Sequence, residues 1–207
     1  MSETKLRIAL SGPTGSGKTS LAQALAAQWQ LPLIREELMP IFHAEQNYRR
    51  KRRDGATREE LLRSKRKWIE TYFAWLQARD QQYRDSAGFV ADRWEADLVD
   101  LWLNSFFREP DVDELTLKLL ETLRARAGQL DLVIVLPLQA PFASTDNEDD
   151  AALNRVLTFT SRYKMSLVTR ALIQQCPELT VFYLPNQTLS LPERVTAVTD
   201  FVRKMPA

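Results

Sequence analysis

Gly12, Pro13, Thr14, Gly15, Ser16, Gly17, Lys18 and Thr19 follow one another as G-x-x-x-x-G-K-T, with Ser20 next. Glycines let consecutive backbone N–H groups turn inward around anionic oxygens, and the N-terminus of a following helix adds its positive dipole end to the same concavity. The run sits between an apolar strand-like stretch and a helix-like stretch, which is the setting such a loop requires. Residues 12–20 are therefore expected to cradle a nucleoside triphosphate. Lys18 is expected to reach the β- and γ-phosphates as a point charge, and the Thr19 hydroxyl to ligate the Mg²⁺ that bridges them.

A loop of this kind works only if a sheet and a helix hold it. Short apolar runs at 6–10, 31–35, 89–92, 132–136 and 181–184 alternate with helical patterns at 18–30, 57–86, 95–107, 113–127, 151–175 and 192–204. This alternation is the signature of βαβ units, so the reading is α/β: a five-stranded parallel sheet flanked by helices on both faces. The longest pattern repeats Leu61, Leu62, Trp68, Ile69, Tyr72, Phe73 and Leu76 at three- and four-residue steps, which marks a core-facing helix. Trp94, Trp102, Leu103, Phe106 and Phe107 read as core for the same reason. The acidic, polar stretch at 143–150 reads as a mobile loop.

With 207 residues, of which 44% are hydrophobic, the chain suits a single domain over 1–207. A net charge of +1 argues against a general polyanion binder. One cysteine, Cys176, cannot form an internal disulfide, and no leader-like or membrane-length apolar run appears, so a cytoplasmic protein with no membrane partner is expected.

In a parallel sheet of this kind the ligand lies beyond the carboxyl ends of the strands, so a functional acid should stand where a strand finishes. Asp92 and Arg93 end the run Gly88-Phe89-Val90-Ala91, which makes Asp92 the expected metal-side acid, whereas Asp131 precedes its strand and should lie far from the phosphates. Glu36 and Glu37 end Leu33-Ile34-Arg35, where a carboxylate can take the proton of an attacking hydroxyl. Glu36 is the first choice and Glu37 the second; either could instead be the acidic flank of a helix start.

Taken together, the loop at 12–19, the strand-ending Arg35-Glu36, Asp92-Arg93 with Asp97 beyond it, and an arginine-bearing segment before the last strand resemble the small P-loop kinases of nucleosides, nucleotides and related metabolites. That group includes the nicotinamide riboside kinase domain of NadR-like proteins and AAA-domain ATPases of similar size. The resemblance implies ATP and Mg²⁺ as cofactors, Glu36 as base, Asp92 and Arg93 at the magnesium shell or substrate, and a lid whose arginines close over the nucleotide. Arg155 and Arg162, seven residues apart, are the lid candidates, with Arg170 eight further on. The segment Leu184-Pro185-Asn186-Gln187-Thr188, where such folds touch the base, contains no Asn-Lys-x-Asp guanine reader.

Two function classes follow. The preferred one is an ATP-dependent kinase acting on a hydroxyl of a small metabolite, a nucleoside or related riboside. The other is an ATPase or switch protein without a small acceptor. A third variant comes from Arg49, Arg50, Lys51, Arg52, Arg53, Arg58, Arg63, Lys65, Arg66 and Lys67, which concentrate basic charge between the second strand and the long helix. Such a patch suits a polynucleotide 5′-hydroxyl kinase, although Glu59 and Glu60 beside it favour a solvated helix face. His43 in the same interval could line an acceptor pocket, but a lone surface or core histidine is the commoner case. A homo-oligomer is compatible with either class.

Overall fold

The computed structural model describes residues 6–107, 109–138, 158–185 and 189–205. Five strands, β1 (Arg7–Ser11), β2 (Leu33–Ile34), β3 (Phe89–Ala91), β4 (Leu132–Val135) and β5 (Val181–Tyr183), form one parallel sheet in the order β2-β3-β1-β4-β5. Ile8 of β1 pairs with Val90 on one side and Leu132 on the other, so β1 lies at the centre. The chain fills one side of β1 first and then crosses to the other, which opens the crevice beyond the carboxyl end of β1. Each expected strand is present; β1 lies one residue later than the expected 6–10, and the other four are trimmed at their ends.

The helices are α1 (Lys18–Trp29), α2 (Met39–Arg53), α3 (Arg58–Asp85), α4 (Val99–Phe106), α5 (Asp113–Ala127), α6 (Phe159–Ile173) and α7 (Leu191–Val202). The expected helix at 95–107 is split: a 3-10 turn at Glu95–Leu98 precedes α4. Of the helix expected at 151–175, the α6 part is seen, while 151–157 and the acidic stretch at 143–150 lie outside the described residues. The helix α2 was not expected, because its apolar positions are sparse; Ile41, Glu45 and Tyr48 are its buried residues. Helix α3 starts where Thr57 accepts from the Glu60 N–H and the Glu60 carboxylate accepts from the Thr57 N–H, a reciprocal cap that satisfies two end donors.

Side chains alternate across the sheet with the two-residue period of a strand. Ile8, Leu10, Val90, Leu132 and Ile134 face α1 and α7, meeting Leu21, Leu25 and Val198. Ala9, Phe89, Ala91, Val133 and Val135 face the opposite layer, where Tyr83 of α3, Ala127 of α5, Ile173 of α6 and the buried Cys176 pack. A further core joins α2, α3, α4 and α5. In it Trp68 stands 5.2 Å from Trp102 and meets Phe106 edge-on at 4.6 Å between ring centroids. Each such buried aromatic contributes on the order of 2–3 kcal/mol through its area alone. Trp94, Trp102 and Phe106 are core residues as expected; Phe107 and Leu103 are not, being 70% and 40% exposed. Helical spacing assigned all five to one surface, but α4 ends at Phe106 and turns Phe107 outward.

No helix among the described residues is long and apolar enough to cross a membrane.

Candidate active site

The turn leaving β1 begins at Gly12, with φ at 139°, and a Cβ there would stand 2.9 Å from the carbonyl oxygen of Leu136. Only glycine lets the chain pass β4 so closely. Farther round, Gly15 and Gly17 also take positive φ, and the Ser16 N–H donates to the Pro13 carbonyl at 3.2 Å, so residues 12–17 close into a tight loop on the N-terminus of α1. Pro13 is buried, Thr14 and Gly17 half-buried, and Gly15, Thr19 and Ser20 exposed.

Lys18, 4% exposed, folds back along this loop and donates from Nζ to the carbonyls of Gly12 and Pro13 at 2.8 and 3.0 Å. Burial, aided by the positive charge of Arg93, lowers its pKa from 10.5 to about 7. A triphosphate in the loop would offer this amine a stronger partner than two carbonyls.

At the end of β3, burial pushes the pKa of Asp92 above the usual carboxylate range, and the Thr19 hydroxyl beside it opposes that rise. Asp92 Oδ1 and Ser16 Oγ are buried with no hydrogen-bond partner among the described residues. Beside the phosphate loop, a bound ion, water or ligand would satisfy both groups. A hydroxyl and a carboxylate are hard oxygen donors suited to Mg²⁺, which keeps few protein ligands. Among the described residues no group of three or more His, Cys, Asp or Glu side chains forms a self-sufficient metal cage.

Glu36 lies just past β2, its side chain 29% exposed, and accepts from Arg93 Nε at 2.8 Å. The Arg93 guanidinium is buried and also stands 3.6 Å from Asp97, while its backbone takes a φ of 103°, a conformation rare outside glycine. Burial opposes the charge of Arg93, and the carboxylates of Glu36 and Asp97 more than restore it. Glu37 also has a positive φ, 46°, and is exposed. The two acids at the end of β2 thus differ: Glu36 is tied to the buried arginine, and Glu37 opens to solvent.

The sequence reading left Asp97 in the background, yet it joins four elements. Its carboxylate accepts from Ser11 Oγ at 2.5 Å, from the Gly12 N–H at 3.1 Å and from Thr169 Oγ1 at 3.2 Å, besides pairing with Arg93. It pins the end of β1 and the start of the loop to α6. Asp97 lies 86 residues from Ser11, so no local pattern announces this role.

The remaining expectations fall as follows. Asp131 accepts from the Arg7 N–H at 2.7 Å, at the amino end of the sheet. Arg162 is buried on α6, and burial lowers its pKa; Arg170, on the same helix, is exposed with its guanidinium 5.5 Å from the Tyr183 ring centroid. Arg155, together with Asn186, Gln187 and Thr188, lies outside the described residues. His43 is exposed on α2. In the basic interval, Arg52 and Lys65 pair with Glu109, Lys65 also with Asp111, Arg49 with Glu45 and Arg63 with Glu59.

The arrangement resembles solved small-molecule kinases in fold. Deoxyadenosine kinase from M. mycoides with bound dCTP matches with a TM-score of 0.67 and 14% identity, covering 97% of this chain and 100% of that one. The same enzyme with bound dATP gives 0.60, at 14% identity, with 96% and 100% covered. Shikimate kinase from Acinetobacter baumannii in complex with shikimate gives 0.52 at 12% identity, with 99% and 97% covered. No curated protein matches the sequence. A family model described as an AAA domain matches residues 7–175, and the chain therefore belongs to that family, with the sheet and phosphate loop of a P-loop kinase fold.

Proposed function

We propose that the protein is a Mg²⁺-ATP-dependent kinase that transfers the γ-phosphoryl group to a hydroxyl of a small metabolite, a nucleoside or related riboside. One observation carries the reading: a carboxylate held by a buried arginine, Glu36 with Arg93, stands at the same sheet edge as the Lys18 loop and the Thr19–Asp92 pair. A phosphate loop alone serves hydrolysis as well as transfer; a strand-end carboxylate at the same edge supplies what an acceptor hydroxyl needs. The structural neighbours add support, since they are kinases of deoxyadenosine and shikimate, both small molecules.

In this reading the loop at 12–20 binds the triphosphate through its backbone N–H groups and Lys18. Thr19 and Asp92 would hold Mg²⁺, which would supply positive charge against the negative charge that develops on the phosphates. Arg93 holds Glu36 in place through the 2.8 Å hydrogen bond from its Nε. Glu36 then accepts the proton of the acceptor hydroxyl, whose oxygen forms the new bond to the γ-phosphorus while the bond to the β-bridging oxygen breaks and ADP leaves with that electron pair. Lys18 follows the departing charge, and Arg162 is the described arginine assigned to the lid.

The test is mass spectrometry of products after incubation with Mg²⁺-ATP and a pooled panel of nucleosides, deoxynucleosides, nicotinamide riboside, shikimate, nucleoside monophosphates and 5′-hydroxyl oligonucleotides, with Lys18→Ala as control. A Lys18-dependent gain of one phosphate on a small panel member is the expected result. Phosphate on the oligonucleotide alone would move the function to polynucleotide ends. ADP release with no phosphorylated member would favour the ATPase or switch reading.

A further inference from the structure

The acid and arginine at the ends of β2 and β3 are short of backbone support. Strand β2 has two residues, Glu37 and Arg93 both take left-handed φ values, and neither segment continues a strand ladder beyond Ala91. Peptide carbonyls at such ends need donors from elsewhere. They find them on one turn of α3. Trp75 Nε1 donates to the Glu36 carbonyl at 3.1 Å. Four residues on, Arg79 donates from Nη1 to the Arg35 carbonyl at 2.8 Å and from Nη2 to the Arg93 carbonyl at 2.5 Å.

The donor pair is itself held. The Arg79 guanidinium is 2% exposed, lies 5.2 Å from the Trp75 ring centroid and pairs through Nε with the fully buried Glu95 at 3.4 Å. Its Nη2 also reaches the Tyr83 hydroxyl at 3.3 Å. A planar guanidinium presents donors in a fixed fork, so one side chain can fix two carbonyls relative to each other; a lysine ammonium, a compact point charge, sets no such separation. The two carbonyls belong to the residue before Glu36 and to Arg93, the partners of the 2.8 Å ion pair.

We propose that Trp75 and Arg79 form a positioning latch that fixes Glu36 against Arg93, so that helix α3, which contributes no group to the phosphate loop, sets the geometry of proton acceptance from the acceptor. The proposal rests on the kinase reading for its catalytic consequence, and on the contacts above for the latch itself. Neither residue touches the reacting atoms; both act through the backbone of the groups that do.

The test uses Trp75→Phe, which keeps an aromatic ring and removes the N–H together with the rest of the pyrrole ring, and Arg79→Lys, which keeps a charge for Glu95 and loses the fork. Two readouts separate the latch from the reaction. In the first, hydrogen exchange of the Arg93 Nε–H, followed by NMR of the nucleotide-free protein, should quicken about tenfold in each variant as its bond to Glu36 loosens. In the second, with Mg²⁺-ATP and deoxyadenosine as probe, kcat should fall about tenfold while KM for Mg²⁺-ATP stays unchanged. Unchanged Arg93 exchange in the folded variants overturns the latch, whatever the turnover. If Arg79→Lys does not fold, Trp75→Phe alone decides. Wild-type protein that leaves deoxyadenosine unmodified would count against that acceptor only, and the exchange measurement would still decide the latch.

Discussion

The two flanks of the candidate site are built from different materials. On the β1–α1 flank the working groups are backbone: a loop of glycines shaped by positive φ angles, with one lysine lying along it. On the β2–β3 flank they are side chains, Glu36, Asp92 and Arg93, set on short strand ends and tied down by Asp97 and by Trp75 and Arg79 of α3. A backbone cradle has its shape specified within eight consecutive residues, with Asp97 and Arg194 holding it from outside. A side-chain constellation takes the positions of its working groups themselves from partners tens of residues away. The first should fail sharply at its glycines and lysine; the second should lose efficiency by degrees as its supports are removed.

The most damaging changes should be chemical ones on each flank. Lys18→Ala should reduce Mg²⁺-ATP turnover by about a thousandfold or more, measured as ADP formation, because the charge on the departing phosphates loses its nearest partner. Glu36→Gln should lower phosphoryl transfer by about a hundredfold to ten-thousandfold while calorimetric binding of Mg²⁺-ATP stays close to wild type. Equal loss of binding and transfer in Glu36→Gln would erase the distinction between the flanks.

Below these stands the loop's shape. Gly12→Ala adds a Cβ at 2.9 Å from the Leu136 carbonyl at a φ of 139°, and should cost about 3 kcal/mol, seen as a lowered thermal midpoint together with weakened nucleotide binding. The lysine makes the backbone flank pH-sensitive. Its pKa is about 7 in the folded protein against 10.5 when exposed, so between those values the unfolded chain holds a proton that the folded chain has lost. Stability of the nucleotide-free protein should therefore rise with pH across that window, by about 2–3 kcal/mol from pH 7 to pH 9, and Lys18→Met should remove this slope in thermal melts at stepped pH. The smallest effect belongs to the support of the other flank. Thr57→Ala removes one half of the cap of α3 and should cost about 1 kcal/mol in a denaturant titration with turnover nearly unchanged, because the cap is 18 residues from Trp75.

The same contrast governs how much of the molecule is legible in its sequence. The loop was readable because its chemistry and spacing are local. The strands were readable because both faces of a parallel sheet are covered, which leaves unbroken apolar runs such as Leu132–Val135. Helix α2 escaped because Pro40 reads as a break and the run ending in Arg53 offers few apolar positions. Glu36, Asp92 and Arg93 could be suspected from the rule that ligands meet strand ends, but their supports could not. Asp97 reaches Ser11 and Thr169 across 86 and 72 residues, and Arg79 reaches Arg35 across 44, distances at which no period or motif operates.

Arg194 donates from Nη1 to the Ser16 carbonyl at 2.8 Å and from Nε to the Leu189 carbonyl at 3.1 Å, and the same Nη1 stands 2.8 Å from where a Cβ on Gly17 would be. The phosphate loop is thus finished by a side chain that leaves the ribosome 178 residues after Ser16. A nascent chain still lacking α7 would carry the whole loop sequence and one of its clamps would be missing. Nucleotide grip should then mature late, as a property of the closed fold and not of the motif, and the last helix becomes the step that licenses the first loop.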